Sequence, residues 1–319
     1  MNKSFFGTGR VKIFIDGRAG TTGLRIHERL AAREDVALIT LDDAQRHDPD
    51  CRRRALNEAD VAFLCLPDAA AIEAAAMVEN PDTVVIDTST AHRTSEGWAY
   101  GFPELSAAHE EAIRTGKRIA VPGCHAGGFI ALTYPLIAAG LLPREAWLTC
   151  FSLTGYSGGG KSMIAAYEAA KRDPLLDAPR QYGLAQQHKH LKEMCGIPRL
   201  AHTPLFCPVV GDFYSGMEVT VPLFAGQLAD GVTAADVAAV YAAAYRGPVV
   251  RFCTAADQAG FLSAGTLSGT DGMVVTLAGN GERLLLTAVY DNLGKGASGA
   301  ALECLNLIMG KDKAYGLVI

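Results

Sequence analysis

No apolar run in the sequence approaches the ~20 residues that a membrane-spanning helix needs. The start, Met1 to Arg10, is polar and glycine-containing, and the apolar run after it is only about strand length, so no secretory leader is expected either. Positive charge is not in excess: 29 Lys and Arg against 34 Asp and Glu leave a formal net charge of −5. Such a surface has no basic field to hold nucleic acid or an acidic membrane, and small diffusible ligands are the partners to expect. Paired cysteines are missing as well. The eight cysteines, at 51, 65, 124, 150, 195, 207, 253 and 304, are scattered, with no C-x-x-C and no tight Cys/His cluster of zinc spacing. No metal site is therefore expected, and free thiols fit a reducing cytoplasm.

What is present is chain enough for two cores. At 319 residues the sequence exceeds what one hydrophobic core usually serves. Val11–Asp16 reads as a strand, Gly17–Gly23 as a glycine-punctuated turn, Leu24–Ala32 as a helix with Leu24, Ile26 and Leu30 toward the core, and Val36–Leu41 as the next strand. The alternation continues through strands at Val61–Leu66 and Thr83–Asp87 around a helix at Asp68–Glu79, then a strand at Ile119–Val121. β-Branched strands separated by helices predict an α/β domain built on a doubly wound parallel sheet. After a helix from about Ala126 to Ala139 the texture changes. Longer runs at Trp147–Thr154, Met217–Phe224, Val249–Cys253, Met273–Leu277 and Arg283–Tyr290, some alternating apolar with polar, predict a mixed or antiparallel sheet. Helices are expected there at Ala234–Tyr245 and Ser298–Met309, and the texture places the domain boundary near Cys124.

Cys124 is the thiol that local physics singles out. It sits in Ile119-Ala-Val-Pro-Gly-Cys-His-Ala-Gly-Gly-Phe-Ile130, where one apolar run ends in Pro-Gly and a helix-like run begins. The positive end of a helix dipole and its free N–H groups favour the thiolate and can receive an oxyanion. Ala126, Gly127 and Gly128 leave room for close approach. Downstream, Gln187-His-Lys-His-Leu-Lys-Glu193 would put His190 and Glu193 on one helix face, so that Glu193 could orient the imidazole; two exposed histidines on a polar helix is the competing reading.

Asp16-Gly-Arg-Ala-Gly-Thr-Thr-Gly23 follows a strand and opens a helix, the setting in which a glycine-rich turn brings a pyrophosphate to helix N–H groups. Its spacing is G-x-x-G-x-x-G; Gly17, Gly20 and Gly23 would form the turn, and the Thr21 and Thr22 hydroxyls could bond phosphate oxygens. A tight turn without ligand is the alternative. Asp42-Asp43, about twenty residues on, favours NAD by the ribose rule, whereas Arg46 and the Arg52–Arg54 run offer partners for a 2′-phosphate or, for the triplet, a solvated basic helix face. Asp87-Thr-Ser-Thr-Ala-His-Arg93 lies at a strand's carboxyl end, where Ser89 and a bidentate Arg93 could grip phosphate or carboxylate, Arg93 being equally readable as an ordinary loop arginine. Gly155–Ser162 matches G-x-x-x-x-G-K-[ST] but lies outside a first βαβ unit, so a flexible loop near the substrate is the better expectation.

Taken in order, Gly17–Gly23, Asp87–Arg93, Val121–His125, Ser157–Gly160, His188–His190 and Asp291-Asn-Leu-Gly-Lys-Gly-Ala-Ser-Gly299 resemble the N-acetyl-γ-glutamyl-phosphate reductases, in their shorter type 2 form, over essentially the whole chain. The resemblance implies the fold shared with glyceraldehyde-phosphate and aspartate-semialdehyde dehydrogenases: a Rossmann NADP-binding domain from residues 1–123 and 297–319, and an α+β catalytic and oligomerisation domain from 124–296. It also implies chemistry. Cys124 would attack an acyl phosphate, phosphate would leave, and hydride from NADPH would reduce the thioester to an aldehyde, in arginine biosynthesis. His190 would be the acid/base with Glu193 steadying it, and His188 is the other candidate. Ser89, Arg93, Ser157 and His188 would hold the substrate, and Asn292 and Gly294 would line the nicotinamide side. Lys192 stands where that family has proline. A homodimer or homotetramer is expected. Another semialdehyde dehydrogenase, such as the aspartate enzyme, and a dinucleotide sensor without turnover are the alternatives.

Overall fold

The structure is a computed structural model that describes residues 9–319. The elements of the first half are β1 (Val11–Asp16), α1 (Thr21–Ala31), β2 (Val36–Ile39), α2 (Pro49–Glu58), β3 (Val61–Leu64), α3 (Asp68–Ala76), β4 (Val84–Asp87), β5 (Ala99–Tyr100), α4 (Ala107–Thr115), β6 (Arg118–Ala120) and α5 (Cys124–Ala138). They continue with β7 (Thr149–Gly155), α6 (Gly160–Tyr167), β8 (Arg180–Gln181), α7 (Leu191–Gly196), β9 (Leu205–Gly211), β10 (Met217–Phe224), α8 (Ala234–Ala244), β11 (Val250–Phe252), β12 (Met273–Gly279), β13 (Arg283–Tyr290) and α9 (Gly299–Ile308). The chain divides into two compact units. One comprises the residues up to Pro103, Ala107–Pro122 and Ala297–Tyr315; the other comprises Glu104–Ser106, Gly123–Gly296 and Gly316–Ile319. Among the described residues no helix is long and apolar enough to cross a membrane.

The first unit is built on a six-stranded, all-parallel sheet in the order β2-β1-β3-β4-β6-β5. This is the doubly wound architecture expected from the β-branched runs. Strand β3 is buried along its whole length, as sheets covered on both faces require. The strand order reverses beside β1, which puts the Gly17 turn at the carboxyl end where such sheets bind ligands. Two local expectations change. Leu24 is 44% exposed rather than in the core, because α1 buries Gly23, Ile26 and Leu30, a stripe of three- and four-residue steps that passes it by. Strand β2 ends at Ile39, before Asp42.

The second unit carries a seven-stranded mixed sheet in the order β11-β12-β13-β10-β7-β9-β8. Only β11 with β12 and β7 with β9 run parallel. Alternation along β10 buries Met217, Val219, Val221 and Leu223 on one face, and α5 packs against β10 and β13. Helix α5 is almost wholly buried, so its polar backbone must be satisfied internally. Pro135 removes one N–H from its interior and orphans the Ala131 carbonyl. The Tyr245 hydroxyl donates to that carbonyl at 2.6 Å, and Tyr241 donates to Leu132 O at 2.5 Å, fastening α8 to α5.

Candidate active site

Cys124 is the first residue of α5, with Gly123 as the extended N-cap and no side-chain cap. The Gly123 N–H is taken by Glu193 Oε2 at 3.1 Å. The helix-mouth N–H groups that follow belong to Cys124 and His125. Cys124 Sγ and one ring nitrogen from each of His125 and His190 lie within 4.8 Å of one another. Among the described residues this is the one group of three potential metal-ligating side chains, and sequence spacing gave no sign of it because His190 lies far along the chain. Both His125 nitrogens are already engaged, Nδ1 with Ser152 Oγ at 2.6 Å and Nε2 with the Tyr182 hydroxyl at 2.7 Å.

The histidines do not sit on a helix. His188 and His190 occupy the turn before α7, with His190 as its N-cap, and the His190 N–H donates to His188 Nδ1 at 3.3 Å. Glu193 is in the first turn of α7 and reaches back to Gly123, so this bond braces the turn that carries Cys124. Lys192 is the second residue of α7, a first-turn position where proline and lysine both fit, so the departure from the family pattern leaves this backbone possible. Burial and the neighbouring Lys189 lower the His188 pKa. The two rings pack edge to face at 4.8 Å between centroids, and Phe206 packs edge-on to His188 and His125.

Tyr290 shapes the first turn of α5. In a regular helix the Gly128 N–H would pair with the Cys124 carbonyl. Here the buried Tyr290 hydroxyl stands in that rung, accepting from Gly128 N at 3.0 Å and donating to Cys124 O. Only glycine admits it, since a Cβ at residue 128 would lie 2.5 Å from the hydroxyl. Gly296 also packs tightly against Cys124: its Cβ would lie 3.0 Å from Cys124 Cβ. Neither Tyr290 nor Gly296 is singled out by the sequence, although Gly296 falls inside the Asp291–Gly299 motif.

That motif is a rigid platform. Buried Asp291 accepts from Ser215 Oγ, Gly269 N, Leu293 N and Gly294 N. Asn292 accepts from Gly216 N at 2.9 Å and donates to Ser157 Oγ at 3.0 Å. Ser157 is not on a flexible loop: the N–H groups of Gly155, Tyr156 and Ser157 are bonded to Gly216, Phe213 and Tyr214 carbonyls. In the first unit, Arg93 is buried and donates to Val121 O at 2.8 Å and Thr88 O at 3.1 Å, while Ser89 Oγ donates to Asp87 at 2.7 Å. These bonds brace the segment leaving β6 and the end of β4.

The Gly17 turn is closely packed. Gly17 has φ +84° and its Cβ would lie 2.2 Å from Cys65 O; a Cβ at Gly23 would lie 2.6 Å from Gly17 O, while Gly20 stays uncrowded. The turn therefore packs as closely as a phosphate-binding turn must, and α1 opens at Thr21 with no acidic residue in its first turn. Beside it is a cavity of about 650 Å³ lined by Asp16, Gly17, Leu41, Arg46, His47 and Arg52, among others. Asp42 and Asp43 are not in its wall. Asp42 Oδ1 instead accepts from Ala44 N and Gln45 N. Of the arginine run, Arg53 and Arg54 form the exposed helix face expected, whereas Arg52 turns inward to Asp16 at 2.8 Å.

Residues 12–113 match the semialdehyde dehydrogenase NAD binding domain family, and residues 124–292 match the semialdehyde dehydrogenase dimerisation domain family. N-acetyl-gamma-glutamyl-phosphate reductase of Burkholderia ambifaria is 44% identical over 95% of this chain and 97% of its own length. The chain belongs to the N-acetyl-γ-glutamyl-phosphate reductase family. Further members include the reductase of Chelativorans, 46% identical over 93% of this chain and 98% of its own, and N-acetyl-gamma-glutamyl-phosphate reductase 2 of Pseudomonas putida, 43% identical over 95% and 98%. The fold is shared more widely. Aspartate semialdehyde dehydrogenase II of Vibrio cholerae superposes with a TM-score of 0.71 at 16% identity, covering 95% of this chain and 99% of that one. A probable aspartate-semialdehyde dehydrogenase from Pseudomonas aeruginosa gives 0.70 at 17% identity, covering 94% and 98%. A reductase of this family is an oxidoreductase that uses a nicotinamide dinucleotide, which the match of residues 12–113 to an NAD binding domain supports.

Proposed function

We propose that the chain reduces N-acetyl-γ-glutamyl phosphate to N-acetylglutamate 5-semialdehyde and phosphate, using NADPH, as a step of arginine biosynthesis in the cytoplasm. The observation that carries this is Cys124 at the mouth of α5 with a His190 ring nitrogen within 4.8 Å. Dipole and N–H groups favour the thiolate there. Sγ attacks the acyl carbon, the C–S bond forms, the C–O bond to phosphate breaks, and the helix-mouth N–H groups hold the oxyanion. A nicotinamide cofactor held at the Gly17–Gly23 turn would supply the hydride that reduces the thioester. His190 then donates a proton to the hemithioacetal oxygen and takes it back as the aldehyde and thiolate separate. His188, outside the Cys124 cluster, stays a substrate contact along with Ser157. Ser89 and Arg93 act by organising the backbone at the ends of β4 and β6, and Asn292 and Gly294 would line the nicotinamide side.

Iodoacetamide near neutral pH should alkylate Cys124 far ahead of half-buried Cys253 and of Cys150, whose thiol burial pushes well up; equal labelling would remove the case for a thiolate at the helix mouth. For the cofactor, Arg46 supports NADPH. It lines the cavity, and its ion-pair partner Asp43 has a side chain 92% exposed, so their pairing holds it weakly. Arg46→Ala should raise the KM for NADPH about tenfold, the worth of one charge-assisted bond, and leave that for NADH nearly unchanged. Parallel rises in both would place the arginine away from the 2′-phosphate.

Self-association into a homodimer or homotetramer is supported by the dimerisation-domain match and by exposed Phe151, Leu205, Phe224 and Leu285 on the second sheet. The deciding experiment follows NADP+ and NAD+ reduction, with phosphate present, on N-acetylglutamate semialdehyde and aspartate semialdehyde side by side. Faster turnover of the acetylglutamate aldehyde with NADP+ is expected. Preference for aspartate semialdehyde, whose enzymes resemble this chain in fold alone, would refute the substrate assignment, and absence of any turnover would favour a sensor.

A further inference from the structure

The side chain that follows Cys124 has no task in the acyl-transfer steps, yet it is among the most constrained in the site. His125 is 3% exposed and bonded at both ring nitrogens, to Ser152 and to Tyr182. Burial holds its pKa down to about 3, so the ring is neutral and carries a single proton. Ser152 decides where that proton sits. Its side chain is fully buried on β7, and among the described residues His125 Nδ1 is the partner its hydroxyl has. A serine hydroxyl has one proton to give, and a buried donor left without an acceptor bears its full desolvation penalty. Ser152 therefore donates to Nδ1, which places the ring proton on Nε2. Nε2–H donates in turn to the Tyr182 oxygen. The phenol's own proton is thereby turned away from the ring.

The opposite tautomer would send the Tyr182 proton into His125 and strand the Ser152 proton inside the sheet. Tyr182 itself is half-buried, and burial together with the nearby Cys124 charge raises its pKa, so it remains a phenol at any working pH. It is a donor, not a base.

We propose that Ser152 and His125 form a relay that presents the Tyr182 hydroxyl as a hydrogen-bond donor to an oxygen of the acyl substrate held at Cys124. Tyr182 is then a catalytic residue, and His125 and Ser152 are positioning residues. The inference rests on the acyl-phosphate reading above. As the C–S bond forms and the C–O bond to phosphate breaks, negative charge gathers on oxygen, and a fixed donor there strengthens its bond without giving up its proton.

Tyr182→Phe should lower kcat on the order of 10²-fold, the scale of one lost oxyanion donor, with the cofactor KM unchanged. Ser152→Ala frees the ring to change tautomer and should lower kcat by a smaller factor. In the Tyr182→Phe background Ser152→Ala should add nothing, because the relay has lost its output. The ¹⁵N spectrum of His125 reads the tautomer with no turnover at all. A protonated Nε2 with a bare Nδ1 is expected in the native protein and in Tyr182→Phe, with movement toward protonated Nδ1 in Ser152→Ala. A native ring protonated at Nδ1, or losses that multiply in the double variant, overturns the proposal. A native protein that turns over no acyl phosphate overturns the substrate reading instead, and the tautomer is measured independently of it.

Discussion

Cys124→Ala is expected to cut turnover on the order of 10⁴-fold or more while leaving cofactor affinity intact, because the variant loses the one atom that forms the thioester. Two measurements on the same protein separate the effects: the rate of NADP+ reduction and the fluorescence titration of NADPH. The side chain is small and half-buried at the first residue of α5, so alanine, the best helix former, should not disturb the helix. Turnover within tenfold of the native protein would end nucleophilic catalysis at this residue. Cys124→Ser sharpens the point, since it keeps a hydroxyl in the same place but one far harder to ionise than a thiol at a helix mouth.

Gly128→Ala should damage the same site from the opposite side. The added methyl would meet the Tyr290 hydroxyl at 2.5 Å and Val219 Cγ2 at 2.8 Å, and Tyr290 is completely buried and has nowhere to move. Overpacking of this kind costs about 1–3 kcal/mol, or roughly 2–12 °C in melting temperature for units of this size. The hydroxyl that holds the Cys124 carbonyl would be displaced as well, and a shift of about 1 Å at the nucleophile is enough to cost on the order of 10²-fold in kcat. Adding Tyr290→Phe removes the nearest clashing atom, though not Val219 Cγ2, and should recover part of the melting temperature. A double variant no more stable than Gly128→Ala would show that the clash is not the cause.

Much of the frame can be read along the chain because its elements carry strong local patterns. Strands β1, β10 and β13 begin and end where their apolar runs do. Cys124 stands at a helix start, as Pro-Gly before an apolar run requires. Other elements escape for physical reasons. Helix α2 buries only Ala55 and Leu56, and α4 buries only Ile113, so their periodicity is faint. Strand β9 contains Pro208, a residue that argues against a strand inside a sheet; its carbonyl is still used, accepting from Tyr182 N at 3.0 Å.

Local composition thus determined the two kinds of sheet, the glycine turn after β1 and the place of Cys124 at a helix start, since each depends on residues within a few positions of one another. Tertiary structure decided what surrounds that thiol. Glu193 accepts from the Gly123 N–H, separated from it by 70 positions. Tyr182 lies 57 positions from His125, and Tyr290 lies 166 positions from Cys124. Hydrogen bonds of that reach leave no periodicity in a sequence. They exist because β7, β9, β10 and β13 pair in one register, and α5 must satisfy its buried polar groups from whatever that sheet and its flanking segments present.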